Sequence, residues 1–158
     1  MRFKKFTIIH SNDIHGDFLA EVKEGKGRLI WGLALLSGYI NKVRKEEKNV
    51  LYVISGDMVQ GSLIDLEFKG ISTIEIMNYL APDIVSIAHH ELDYGLPHFL
   101  FLEKIANFPI VNANLYIKNY NKRLMSPYKI ISKAGFDIFF TGIITEKVLD
   151  SFKQDTLV

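Results

Sequence analysis

The sequence predicts an α/β domain built on a mixed, mainly parallel central sheet flanked by helices, and three observations predict it. Residues 6–9, 50–54 and 84–87 are short β-branched or aromatic runs without polar alternation, the pattern of strands covered on both faces. Amphipathic helical patterns separate these runs, as in β-α-β units with right-handed crossovers. Each run leads straight into polar residues that do not belong in a core, and in a parallel sheet such strand ends share one edge.

In chain order, residues 6–9 form the first strand. Over residues 28–43, Leu29, Leu33, Leu36, Ile40 and Val43 recur at three- and four-residue steps and mark the inner stripe of a helix, with the charged stretch 44–48 as its solvated end. The second strand, 50–54, precedes a shorter helix read from Ile71, Ile74, Met77 and Leu80, which stops before Pro82 because proline cannot continue it. After the third strand, 84–87, a helix over 97–107 has Pro97 in its first turn, where the missing N–H is harmless. Residues 109–111 read as a further strand. Residues 128–132 and 136–142 read as a hairpin turning at Ala134 and Gly135, which makes the sheet mixed. The Asn- and Lys-rich stretch 112–122 reads as a loop. No internal repeat, low-complexity tract or linker divides the chain.

Composition bounds the function. The 158 residues, 48% of them apolar, suffice for one domain or part of one. A formal charge of +1 gives no overall field to attract a nucleic acid polymer or an anionic membrane, so neither is an expected partner. The absence of cysteine excludes disulfides, thiolate nucleophiles and thiolate metal sites. The N-terminal apolar run is brief and lacks a small-residue cleavage site, and no stretch approaches the roughly 20 apolar residues that cross a bilayer. A cytoplasmic location is therefore expected.

The polar clusters are Ser11-Asn12-Asp13-Ile14-His15-Gly16, Ser55-Gly56-Asp57 and Ala88-His89-His90-Glu91-Leu92-Asp93. Taken singly, each has an ordinary reading: Ser11, Asn12 and Asp13 as a turn or helix cap, Asp57 as a turn aspartate. Gathered at one sheet edge with no Lys or Arg among them, these carboxylates and imidazoles need a cation. On an extended segment, Asp13 and His15 point to one side, and the two oxygens of Asp57 suit it to bridge a pair of ions. Mixed nitrogen and oxygen ligands favour manganese, zinc, iron or cobalt over calcium, with magnesium less favoured. His10 and His98 read as structural, Asp17 and Glu91 as solvated or hydrogen-bonded neighbours. Trp31, Phe99, Phe101, Phe139 and Phe140 read as core or interface cover rather than a base-stacking platform. No GxxxxGK phosphate loop is present.

The series Asp13-x-His15, Gly56-Asp57 and His90-Glu91 resembles the opening signature of the calcineurin-like metallophosphoesterases. The fuller wording SNDIHG, SGDMVQGS and HHELDYG, followed by NANL from Asn112, is similar to the branch of 5'-nucleotidases and 2',3'-cyclic-nucleotide phosphodiesterases. The resemblance implies half of a four-layer sandwich fold and metal-dependent hydrolysis of a small phosphoester, most naturally a nucleotide, with two divalent ions. It assigns Asp13 and His15 to the first ion, Asp57 to both, the position of His89 to the second, and catalysis to His90 with Asp93 as its partner. Independently, a three-residue separation on a helical turn lets a carboxylate orient an imidazole.

Two departures stand out. Ala88-His89-His90 stands where the resembling family has Gly-Asn-His, so His89 either takes the amide's place as ligand or is displaced to the surface. The resemblance also implies two further histidine segments, the last a Gly-His-x-His pattern, and a separate C-terminal domain, none of which lies within residues 1–158. The chain is therefore read as a single partial, truncated catalytic domain, without a substrate-binding domain, whose exposed edge favours pairing with a second copy. The rival reading is a catalytically inactive metal-binding or interaction fragment.

Overall fold

The computed structural model describes residues 3–19, 21–22, 29–30, 32–117 and 120–146. Along the chain run β1 (Thr7–Ser11), β2 (Glu21–Val22), β3 (Leu29–Ile30), α1 (Leu33–Glu46), β4 (Val50–Ser55), α2 (Leu63–Phe68), α3 (Ile71–Leu80) and β5 (Ile84–Ser86). A 3₁₀ turn (His90–Leu92), α4 (Leu96–Ile105), β6 (Ile110–Val111), β7 (Tyr116–Ile117), β8 (Lys122–Arg123), β9 (Tyr128–Lys133) and β10 (Phe136–Thr141) follow.

The central sheet has the order β1-β4-β5-β6 with every neighbouring pair parallel. Its register pairs Ser11 with Ile54, Ser55 with Ser86, and Ser86 with Val111, so the strand ends lie along one edge. That alignment brings the polar clusters together. The middle strand β4 is covered on both faces as expected, with Leu51 and Tyr52 at 0% exposure. The edge strand β1 is not: its residues alternate, and Ile8 is 60% exposed.

The helices pack on this sheet through their apolar residues, and in α1 and α3 these are ones that the periodicity singled out. Ile74, Met77 and Leu80 of α3 are buried, as are Phe99 and Leu102 of α4, while Ile40 is the fully buried residue of α1. Removing such side chains from water is the main force holding helices to sheet. As expected, α3 ends just before Pro82 and α4 begins with Pro97 in its first turn.

Four further expectations need correction. The first helix starts at Leu33, not 28; Leu29 shares the stripe's spacing but lies in β3, paired antiparallel to β2, and residue 28 lies outside the described residues. Arg44 is not simply solvated: it donates to the carbonyls of Leu80 at 3.1 Å and Ala81 at 2.6 Å, closing the C-terminal end of α3. Within 112–122, Tyr116 and Ile117 pair with Arg123 and Lys122 as a short ribbon. The α/β class stands, yet among the described residues the antiparallel strands form ribbons of their own instead of joining the parallel sheet.

The hairpin β9–β10 turns where the sequence placed it. Ala134 and Gly135, at φ 56° and 81°, are both left-handed, the conformation a tight two-residue hairpin turn demands. Helix α2 was not foreseen because six residues are too few for a periodic signal, although Ser62 caps it by accepting the Asp65 N–H at 3.2 Å. The NANL motif is also structural. The buried Asn112 side chain accepts the N–H groups of Asn114 and Leu115, and Asn114 exchanges bonds with the backbone of Ile144. Phe99 belongs to the core, Phe101 and Phe139 are exposed, and Trp31 lies outside the described residues. Among the described residues no helix is long and apolar enough to cross a membrane.

Candidate metal centre

The site begins with how closely β4 and β5 approach at their ends. Gly56 has φ 81°, and a Cβ there would lie 2.5 Å from the backbone nitrogen of Ala88, so only glycine lets the two loops touch. The loop after β1 is zipped onto the loop after β4. Asp13 N–H donates to Gly56 O at 3.2 Å, His15 N–H to Asp57 O at 3.0 Å, and Gly16 N–H to Met58 O at 2.7 Å.

These bonds hold Asp13, His15 and Asp57 in left-handed conformations, with φ of 51°, 52° and 51°. Each costs a non-glycine residue roughly 1 kcal/mol, and such outliers gather at functional sites. The segment from Asp13 to His15 is therefore folded, not extended as the sequence reading assumed. The two side chains still meet, with Asp13 Oδ1 3.9 Å from His15 Nε2.

His15, Asp57 and His90 each offer one donor atom, all within 4.8 Å of one another. Asp57 is buried, at 7% exposure, and the two histidines are half-buried. The other anticipated residues flank this group. His89 Nδ1 is 3.3 Å from Asp57 Oδ1, and Asp13 is the most open of the set. The rings of His89 and His90 lie 3.7 Å apart, and those of His15 and His90 5.0 Å apart. All six anticipated residues thus fall in one place, His89 among them. Asp93 meets His90 as the spacing suggested, its Oδ2 2.5 Å from His90 Nδ1 across the 3₁₀ turn.

The hydrogen bonds around the imidazoles fit a cation. A carbonyl oxygen can only accept, so the 3.0 Å contact between His15 Nδ1 and Gln60 O puts the proton on Nδ1 and leaves the Nε2 lone pair free. The Asp93 carboxylate does the same for His90. Holding the far nitrogen of a histidine in this way is how ligand imidazoles are oriented. Among the described residues the only ion-pair partner of Asp57 is His89, so no Lys or Arg competes for its charge.

Glu91, which the sequence reads as a solvated or hydrogen-bonded neighbour, is the hydrogen-bonded one of that pair of alternatives and organises the site. At 2% exposure, its carboxylate accepts the N–H groups of Asp57 at 3.1 Å, Met58 at 2.6 Å and Ala88 at 2.8 Å. Burial pushes its carboxyl above the usual range, opposed by the backbone donors of Ala88 and Met58. The sequence signal that sets it apart from a solvated acid is its place beside His90 in the motif that carries the resemblance. His10 and His98 are structural as anticipated: His10 Nε2 lies 2.9 Å from Ser55 Oγ, and His98 Nε2 2.6 Å from Lys69 O.

A parallel α/β sheet with a buried Asp and oriented His donors at its strand ends defines an α/β domain whose donor set suits a divalent cation. The chain belongs to the calcineurin-like phosphoesterase family, whose model matches residues 6–155. It is 33% identical over 148 residues to the 5'-nucleotidase of Vibrio parahaemolyticus, covering 90% of this chain and 25% of that protein. The Bos taurus 5'-nucleotidase is 32% identical over 154 residues, covering 90% of this chain and 27% of the relative. Among solved structures, a 5'-nucleotidase precursor from Thermus thermophilus superposes with a TM-score of 0.80 at 25% identity, over 90% of this chain and 29% of that one. The NAD nucleotidase of Haemophilus influenzae superposes with 0.78 at 26% identity, over 89% and 26%. The chain thus spans about a quarter of the length of the curated relatives it matches.

Proposed function

We propose that this chain supplies part of a dinuclear metal site for hydrolysis of phosphoric esters, with small nucleotides as substrates. The observation that carries the reading is the convergence of His15, Asp57 and His90 within 4.8 Å at the sheet edge, in a chain of the calcineurin-like phosphoesterase family. The 5'-nucleotidase relatives support the substrate class. In this reading residues 1–158 form a single partial metallophosphoesterase catalytic domain.

Asp13 and His15 would hold one ion, Asp57 would serve both, and His89 would hold the other. The choice among manganese, zinc, iron and cobalt follows from the mixed nitrogen and oxygen donors. Bound divalent ions supply positive charge to the phosphoryl oxygens and acidity to water. Asp57 is suited to sharing because Glu91 and the loop bonds fix its backbone while its carboxylate receives the His90 N–H at 3.0 Å. His90, its Nδ1 proton held by Asp93, presents Nε2 for exchange of a proton with the departing ester oxygen.

The test is manganese uptake by calorimetry together with hydrolysis of an aryl phosphate, for the chain and for Asp57→Asn. The expected result is metal binding and chelator-sensitive turnover that Asp57→Asn abolishes. Full activity in that variant would overturn the arrangement, and binding without turnover would mark an inactive metal-binding module.

A further inference from the structure

Asp65 is fully buried in α2, and its carboxylate has no ion-pair partner among the described residues. Capping does not account for it, since the cap of α2 uses the Asp65 N–H and the Ser62 hydroxyl, not the carboxylate. The carboxylate accepts instead from the backbone N–H of Gln60 and from the Thr73 hydroxyl of α3. An uncompensated buried carboxylate opposes folding unless those donors are where it is needed.

What it holds is the residue that orients His15. Gln60 sits at φ 67°, a left-handed conformation that a non-glycine side chain disfavours. With its N–H fixed by Asp65, Gln60 keeps that turn, and its carbonyl remains 3.0 Å from His15 Nδ1. A return to negative φ would swing the carbonyl away and free the ring. The same short segment also grips the His15 backbone, because Ser62 N–H donates to His15 O at 3.1 Å.

We propose that Asp65 is a positioning residue for the metal centre: through Gln60 it fixes the tautomer and direction of His15, so that Nε2 is the nitrogen offered to an ion. The metal half of this statement rests on the function proposed above; the tautomer half does not. Asn can take over the role, since its amide oxygen accepts from Gln60 N–H while its NH₂ donates to the Thr73 hydroxyl, which is able to accept. Ala cannot.

The experiment reads imidazole ¹⁵N shifts in the metal-free labelled chain, with His15 assigned through a His15→Gln variant, and cobalt affinity by titration. Expected is a protonated Nδ1 on His15 in the wild type and in Asp65→Asn, lost to a tautomer mixture in Asp65→Ala. Cobalt binding by Asp65→Ala should weaken by about 10- to 100-fold, the usual effect of removing an outer partner of a ligand histidine. A core variant of comparable lowered melting temperature, Leu102→Ala, should keep both properties. Retention of the wild-type tautomer in Asp65→Ala, or its loss in Leu102→Ala, overturns the inference. If Asp65→Ala proves too unstable, Asp65→Asn and Thr73→Val carry the comparison. Thr73→Val leaves the Gln60 bond in place, so a changed His15 tautomer in it also counts against the proposal. A wild type that takes up no cobalt sinks the metal reading alone, and the shifts still decide the role of Asp65.

Discussion

The carboxylate of Glu91 accepts the backbone N–H of Asp57 at 3.1 Å, a bond spanning 34 positions that ties the loop after β4 to the turn after β5. Two further donors, Met58 and Ala88, converge on the same group. Glu91→Ala leaves two buried N–H groups and the part-buried one of Ala88 without acceptors, each buried one worth about 1–3 kcal/mol if unrelieved. We expect a stability loss of roughly 3 kcal/mol or more in urea unfolding, with weakened metal binding. Unfolding midpoints that coincide with the wild type would show that water or relaxation replaces the carboxylate.

Asp93 accepts from His90 Nδ1 at 2.5 Å. In Asp93→Asn the amide can turn its NH₂ to that nitrogen, which then must accept, and the proton moves to Nε2. The wrong tautomer impairs proton exchange while leaving charge and shape in place. Turnover of an aryl phosphate by the manganese-loaded chain is expected to fall by about 10²-fold or more in kcat with little change in KM. An equal loss in KM and none in kcat would assign Asp93 to binding instead.

The difference between what the sequence disclosed and what it concealed follows from the range of the interactions involved. Strands β4 and β5 and helix α3 were legible because burial leaves a pattern along the chain, as at Ile74, Met77 and Leu80, and α4 because Pro97 suits a first turn. Asp13, His15, Asp57, His90 and Asp93 stood out as candidates because they follow apolar strands with chemistry a core rejects. The roles of Glu91 and Asp65 were not legible, since what they fix is backbone N–H groups, those of Asp57, Met58 and Ala88 for one and that of Gln60 for the other, and the backbone carries no letter in the sequence. Leu29 misled for the converse reason: its helical spacing is real, but pairing with Val22 decides its conformation. The uncovered face of β1, with Ile8 exposed, was equally hidden, because an apolar run states that burial is favourable and not that a neighbour is present.

Gly56 offers a steric test of the site's architecture. A methyl group there would lie 2.5 Å from Ala88 N and 2.6 Å from Ala88 Cβ, on a backbone already at φ 81°. Neither obstacle is the movable end of a long side chain, so the loops after β4 and β5 must separate. Gly56→Ala is expected to destabilise the chain by about 2–4 kcal/mol, combining the left-handed penalty with the clash. It should also weaken metal binding, because Asp57 and His90 move apart. Gly38, with nothing within 4 Å of its added Cβ, is the control: Gly38→Ala in α1 should be neutral or mildly stabilising. Equal melting temperatures for the two variants would refute the close approach.

Glu103 gives a pH signature independent of the metal centre. It lies on α4 beside a cavity of about 250 Å³ lined also by Phe108, Ile110 and Tyr128. Burial pushes its carboxyl above the ordinary 4.5. The folded chain therefore keeps this proton after the unfolded chain has released it, and folding becomes less favourable as pH rises through that interval. Glu103's contribution is fully present below 4.5 and diminishes as pH climbs past its folded value. Glu103→Gln has no proton to lose there. Measured from about pH 4 to about pH 7, the stability of the wild type relative to Glu103→Gln should fall with increasing pH. A difference that instead grew in favour of the wild type would mean that the ionised carboxylate has found a stabilising partner, for which Lys129, lining the same cavity, is the candidate.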